Sequence, residues 1–231
     1  MSGDGWTDAL WIDCHVHTAD SFDSSASVDE VLRKAVEVGI DGLVVTDHDR
    51  IDRSLRAAAR APEFGLIGIP GVEVSTAGGH LLAIGVESLP RPGQPLDETV
   101  ESVRAKGGLA VVPHPFQWSR HGASATEITD CDGIEVFNAH SLTGIRNRQA
   151  ERFANMFDYP WFGGSDAHRP ALVGKGVTYV AVGESEPTAK AVLKAMRDGR
   201  TWAGGDRAST RRYLGKLAHN ARLKGPGVTL L

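Results

Sequence analysis

Short apolar runs alternate along this chain with segments whose hydrophobic residues recur at helical spacing. The run "LWIDCHVH", Leu10 to His17, predicts a strand. "SVDEVLRKAVEVG" then predicts a helix. Ser27 and Glu30 have capping-box spacing, Val28, Val31, Leu32, Ala35 and Val36 form an apolar face, and Gly39 ends it. "IDGLVVTDH" predicts a second strand, "RSLRAAARA" a helix, "GLIGIPGVEVST" a third strand and "HLLAIGV" a fourth. "LDETVESVRAKGG" is again helical. "LAVVPHP", "GIEVFNAH" and "YPWFGGSDAH" are strand ends, the last two separated by the helix "GIRNRQAERFANMF". "VTYVAV" and "EPTAKAVLKAMRDG" complete the series. This order predicts an α/β fold with a mostly parallel sheet.

Polar residues cluster where the apolar runs stop. The first strand ends in His15 and His17, which share a face with Asp13 if side chains alternate strictly. Asp47 and His48 end the second, Glu73 sits in the third, and His114 follows "VVP". Asn138 and His140 end "IEVFNAH", and Asp166 and His168 end "GGSDAH". In a parallel barrel such ends meet on one rim, where active sites form. Histidines and carboxylates recurring at equivalent positions point to a polynuclear metal site, because without cations the carboxylates would repel one another. Mixed imidazole and carboxylate donors suit manganese, iron or zinc better than magnesium or calcium.

Composition narrows the classes. The chain has 231 residues, 41% apolar and 23% charged, enough for one well-buried core. A net charge of −4 argues against nucleic acid or an anionic membrane as partner. The two cysteines, Cys14 and Cys131, read as reduced core residues. No membrane span or signal peptide is visible, so a cytoplasmic location is expected, with the oligomeric state open. His121 and His219 lack a strand-end context and are expected at the surface.

The segments "DCHVHTADSFDSSAS", "GIDGLVVTDHD", "GVEVS", "VVPHP", "GIEVFN" and "GSDAH" occur in the order of the PHP domain, named for polymerase and histidinol phosphatase, and the chain resembles that family over about residues 11–205. The resemblance implies a distorted (β/α)7 barrel in a single domain over residues 1–231, with 206–231 as a C-terminal surface segment. It also implies two or three divalent ions, manganese, iron or zinc, and metal-dependent phosphoester hydrolysis. Carried over by position, His15, His17 and Asp166 resemble ligands of a first metal, and Glu73 a carboxylate bridging it to a second. His114 resembles a ligand of the second metal, completed by His140 or by Asn138. Asp23, His48 and His168 resemble ligands of a third. His80 is a further ligand, a supporting group or a structural histidine.

These assignments predict a hydrolase of a small phosphorylated metabolite or nucleotide that uses a metal-bridging hydroxide. Three divalent ions bring about +6, Asp23, Glu73 and Asp166 about −3 and a hydroxide about −1, leaving positive charge for a phosphate. Glu73 holds the reactive pair of metals, and His48 or His168, if the third metal is absent, protonates the leaving oxygen. Asp13 either orients an imidazole or is a buried hydrogen-bond acceptor. Arg120 and Arg169 are the candidate phosphate-binding arginines among several near the rim, and Trp118 a candidate stacking ring. The competing readings are a nuclease or proofreading module, and a metal-binding domain without turnover.

Overall fold

A computed structural model describes residues 9–128, 130–141, 143–183 and 186–205. The expected surface segment 206–231, with His219, lies outside them. Among the described residues nine strands form one sheet: β1 (Leu10–Val16), β2 (Gly42–Val45), β3 (Ile67–Thr76), β4 (Gly79–Ile84), β5 (Leu109–Val112), β6 (Gly133–Asn138), β7 (Trp161–Gly164), β8 (Val177–Val180) and β9 (Thr201–Gly204). Their order is β7-β6-β5-β4-β3-β2-β1-β8-β9. The sheet curls until β7 lies beside β1 and β8, giving a nearly closed, distorted barrel. Just beyond the strand ends, His17 N donates to Ala167 O at 2.9 Å and Asp166 N to His15 O at 2.8 Å. The glycine pair of β7 permits this closure. A Cβ on Gly164 would overlap the His15 side chain, and one on Gly163 the Val177 carbonyl.

The sheet is mixed rather than mostly parallel. Pairs β1–β2, β2–β3, β5–β6 and β6–β7 are parallel, whereas β3–β4, β4–β5, β1–β8 and β8–β9 are antiparallel. The physical reason at β3–β4 is the turn. Thr76 pairs with Gly79, so Ala77 and Gly78 are too short a link for anything but a hairpin.

Helices α1 (Val28–Val38), α2 (Asp52–Arg60), α3 (Leu96–Ala105), α4 (Ile145–Phe157) and α5 (Ala189–Arg197) cover the strands. The capping box of Ser27 and Glu30 and the left-handed Gly39 bound α1 as the sequence predicts. Val36 is exposed, however, because the buried stripe is Val28, Val31, Leu32 and Ala35. α1 and α2 pack with Leu43 and Val45, and α3 and α4 with Val112, Ile134 and Val136. α5 contributes Val192, Ala195 and Met196 to a core with Ile12, Cys14, Val44, Leu82 and Phe162. Both cysteines are free and buried.

Strict alternation fails in β1. Its register shifts between Asp13 and Val16, so Cys14 packs with the α5 core while Val16 packs against α1. Asp13 is therefore turned away from the imidazoles. It accepts from the backbone of His15, Ser165 and Gly174 at 3.3, 2.9 and 2.8 Å, and burial raises its pKa to about 6. It is the buried acceptor of the two sequence readings, clasping β1 to the segments after β7. No described helix is long and apolar enough to cross a membrane.

Candidate metal centre

The strand ends gather His15, His17, Glu73, His114 and Asp166 into one buried cluster, with His48, His80 and His168 partly buried around it. Glu73 lies at its centre. Its Oε2 faces His15 Nε2 at 3.2 Å, His17 Nε2 at 3.3 Å and His48 Nδ1 at 3.3 Å. Its Oε1 faces His114 Nε2 at 3.0 Å and His80 Nδ1 at 2.8 Å. One carboxylate thus separates two sets of nitrogen donors.

Asp166 supplies a second carboxylate. Its Oδ1 is 3.8 Å from His15 Nε2, 3.5 Å from His17 Nε2 and 3.4 Å from His168 Nδ1, and it is buried without a hydrogen bond. Its Oδ2 accepts from Asn138 Nδ2 at 2.9 Å and pairs with Arg120. At the outer edge, Asp23 Oδ2 is 2.8 Å from His168 Nε2 and 3.8 Å from His48 Nε2. The backbone helps aim these groups. His114 and Asp166 adopt φ of 31° and 53°, costly for residues with a Cβ and typical of functional sites.

Hydrogen bonds behind the candidate ligands set their tautomers. Ser21 Oγ donates to Asp47 Oδ1 at 2.8 Å, so it accepts from His17 Nδ1 at 3.0 Å. Glu135 Oε1 accepts from His15 Nδ1 at 3.0 Å. The Nε2 atoms of both rings are therefore left for a proton or a cation, and they stand 3.1 Å apart. Two nitrogens bound about 2.1 Å from one ion at roughly a right angle would stand ~3 Å apart. The convergent donors, the two carboxylates and the orphaned Asp166 oxygen all fit a cation. Among the described residues five groups of three have donor atoms within 4.8 Å of one another, and together they include every residue of the cluster around Glu73 and Asp166.

The electrostatics agree. Burial opposes charge on Glu73 and Asp166, yet His15 and the other imidazoles hold both well below the usual carboxylate range. Burial likewise opposes a proton on His15 and His17. Asp166, Glu73 and Glu135 nevertheless raise His15 well above the ordinary value, and Asp166 and Glu73 raise His17 to about 9. His48 is lowered to about 4 by burial, with His17 and His80 adding to the effect against Glu73, and burial and His17 also lower His168. Neutral imidazoles at His48 and His168 suit ligands better than proton donors.

Several residues fall elsewhere than expected. His140 is exposed, with Nδ1 3.3 Å from the Asp166 carbonyl, and it groups with Asp166 and His168 rather than with His114. His80 occupies the place beside His114 and Glu73. The hairpin explains this: Glu73 pairs with Leu82, so His80 is the diagonal neighbour two residues away on the same face. Asn138 is saturated by Glu135, Asp166, Arg120 and the His140 amide, and acts as a buried connector. Arg120 enters the site, whereas Arg169 is exposed and does not line the main cleft. His121 is exposed as expected but is not remote. A left-handed turn at φ 53° folds it back so that its ring stacks on His80 at 5.3 Å.

Glu135 is the group that sequence reasoning missed. It binds His15 Nδ1, the His114 amide at 2.8 Å and Asn138 Nδ2 at 2.9 Å. Glu135 and Asn138 would face opposite ways in a regular strand, but the register of β6 shifts between Glu135 and Phe137. The available signal was an acid inside the apolar run "GIEVF". Glu135→Gln is expected to weaken metal binding ten- to about a hundredfold while leaving the circular dichroism spectrum intact. Chelator competition measures this, and unchanged affinity would remove Glu135 from the ligand-orienting network.

The cleft over the cluster has a volume of about 830 Å³ and is lined by His48, Glu73, His80, His114, Arg120 and His168 among others. A sequence profile described as PHP domain matches residues 13–146, and one described as PHP-associated matches 144–201. An uncharacterized protein of Methanocaldococcus jannaschii is 32% identical over 151 residues, covering 60% of this chain and 87% of that protein. A two-domain protein from Bacteroides vulgatus, described as containing a predicted PHP-like metal-dependent phosphoesterase, superposes with a TM-score of 0.71 at 20% identity, covering 92% of this chain and 71% of that one. A lesion-specific endonuclease from Pyrococcus furiosus superposes at 0.57 and 16% identity, covering 82% and 56%. At such identities the two structures establish the shared fold alone.

Proposed function

This chain belongs to the PHP domain family, and on that premise we propose that it is a metal-dependent phosphoesterase acting on a small phosphorylated molecule. The observation that carries the reading is Glu73, whose two oxygens face two separate sets of imidazoles. His15, His17, Glu73 and Asp166 would hold one divalent ion. Glu73, His114 and His80 would hold a second, and Asp23, His48 and His168 a third. Bound manganese, iron or zinc would supply Lewis acidity and an activated water near neutral pH. The protein's own groups do the rest. Ser21, Glu135 and the Asp166 carbonyl fix imidazoles His17, His15 and His168 through their Nδ1 atoms. Arg120, beside Asp166 and lining the cleft, is placed to grip a phosphate next to the metal ligands.

A cleft of this volume suits a small ligand better than a duplex, and the net charge of −4 points the same way. The test is a panel of phosphate monoesters, diesters and oligonucleotides offered to the metal-stripped protein, then to protein restored with manganese, zinc or iron. Metal-dependent turnover of small esters is expected. Cleavage of oligonucleotides alone would select a nuclease, and stoichiometric metal without turnover a binding domain.

A further inference from the structure

Two large apolar side chains stand almost fully in solvent on the lips of the metal cleft. Phe22 is 88% exposed and Trp118 83% exposed, and both line the cleft. Neither is a remnant of the core. Phe22 lies next to the candidate ligand Asp23, and its ring stacks on His48 at 5.3 Å. Trp118 belongs to the short turn Trp118–Arg120, whose third residue reaches Asp166. One turn thus carries a cation to the metal ligands and an exposed indole to the rim.

Trp118 also borders a second cavity, of about 550 Å³, walled by Phe116, Ser124, Ala125, Arg146 and Gln149. Its sides are mainly apolar. Its polar groups include Arg146, which donates to Gln149 Oε1 at 2.8 Å. An acyclic polyol such as glycerol carries a hydroxyl on each carbon and would leave several unpaired against Phe116, Trp118 and Ala125. A flat heteroaromatic ring instead buries two apolar faces and presents acceptors only at its edge, where a guanidinium and an amide can meet them.

Resting on the phosphoesterase reading above, we infer that Trp118 and the cavity beside it form a leaving-group subsite for a planar heteroaromatic ring, so that the substrate class is nucleotide-like phosphoesters. The phosphate lies over the metal ligands and Arg120, and the ring lies on the indole. Stacking of a base on an aromatic side chain corresponds to roughly five- to a hundredfold in binding on alanine substitution.

The experiment compares nucleoside monophosphates with glycerol phosphate on metal-restored protein, for the native chain, Trp118→Ala and Trp118→Phe. The native chain is expected to favour nucleotides in kcat/KM by at least about tenfold. Trp118→Ala should reduce that preference about five- to a hundredfold through KM, and Trp118→Phe should recover most of it. Metal content, measured alongside, should be the same in all three. No preference in the native chain, or a parallel loss for both substrates in Trp118→Ala, overturns the subsite. Calorimetric binding of a nucleoside monophosphate to the metal-loaded protein separates the two ideas. Binding that depends on Trp118 without turnover of any ester sustains the subsite and refutes the hydrolase. Turnover of glycerol phosphate with no nucleotide preference does the reverse.

Discussion

Glu73→Gln is expected to lower the proposed phosphoester turnover by roughly a thousandfold and to leave the protein short of at least one metal ion. Glutamine keeps the shape and one oxygen acceptor but replaces the other oxygen with an amide donor. In the native site both oxygens face nitrogen donors within 3.3 Å, so either orientation of the amide turns its NH2 toward one imidazole set. That set then loses an anionic ligand and gains a competing donor. Glu73 is only 1% exposed, so water does not replace the missing charge. Elemental analysis gives the metal count, steady-state assays give the turnover, and circular dichroism shows that the barrel persists. Full activity with undiminished metal in Glu73→Gln would remove the carboxylate from the bridging position.

Metal-free and metal-loaded protein should respond to pH in opposite directions between about pH 6.5 and 9. Without metal, His17 has a folded pKa of about 9 against 6.5 for an ordinary histidine, and His15 is shifted the same way. A raised pKa means the folded state holds the proton more tightly. The resulting stabilisation is complete below the unfolded value and disappears as pH rises through the folded one. For His17 this amounts to ~3 kcal/mol at most. With metal the same nitrogens must be deprotonated, so rising pH removes the competitor and strengthens binding, and bound ligand stabilises the folded state. His48, lowered to about 4, adds its own slope only below pH 6.5, where falling pH destabilises the fold. Glu73 and Asp166, held low, lose their contribution only in more acid solution still. Thermal melts in chelator and in manganese across this window provide the comparison. Parallel slopes would mean that His15 and His17 do not exchange protons for metal.

Much of the site was legible because strand ends are legible. An apolar run that stops at "HVH", "TDH", "PHP" or "SDAH" places ionisable groups where a barrel opens. The helix from Val28 to Val38 was legible for a similar reason: Ser27, Glu30 and Gly39 act on neighbours within a turn or two. Glu135 was not legible as an orienting group, because its partner His15 lies 120 residues away in sequence. His80 stayed ambiguous until the Ala77–Gly78 turn set its diagonal relation to Glu73. Asp13 shows the opposite error, because a register shift in β1 moved it off the face that regular alternation assigns. His140 lies in the turn after β6, where strand alternation no longer fixes its direction.

By itself the sequence determined the alternation of strands and helices and the crowding of histidines and carboxylates at strand ends. Hydrophobic periodicity and capping are local, and a few residues of chain suffice to specify them. Only the tertiary structure decided which imidazoles share a carboxylate oxygen, that His80 rather than His140 stands with His114, and that the Trp118–Arg120 turn joins the metal ligands to an open aromatic rim. Those outcomes depend on bulges, on strand direction and on glycines thin enough to let β7 reach β1. They belong to the closing of the barrel, where contacts between distant segments outweigh any preference encoded in a short window.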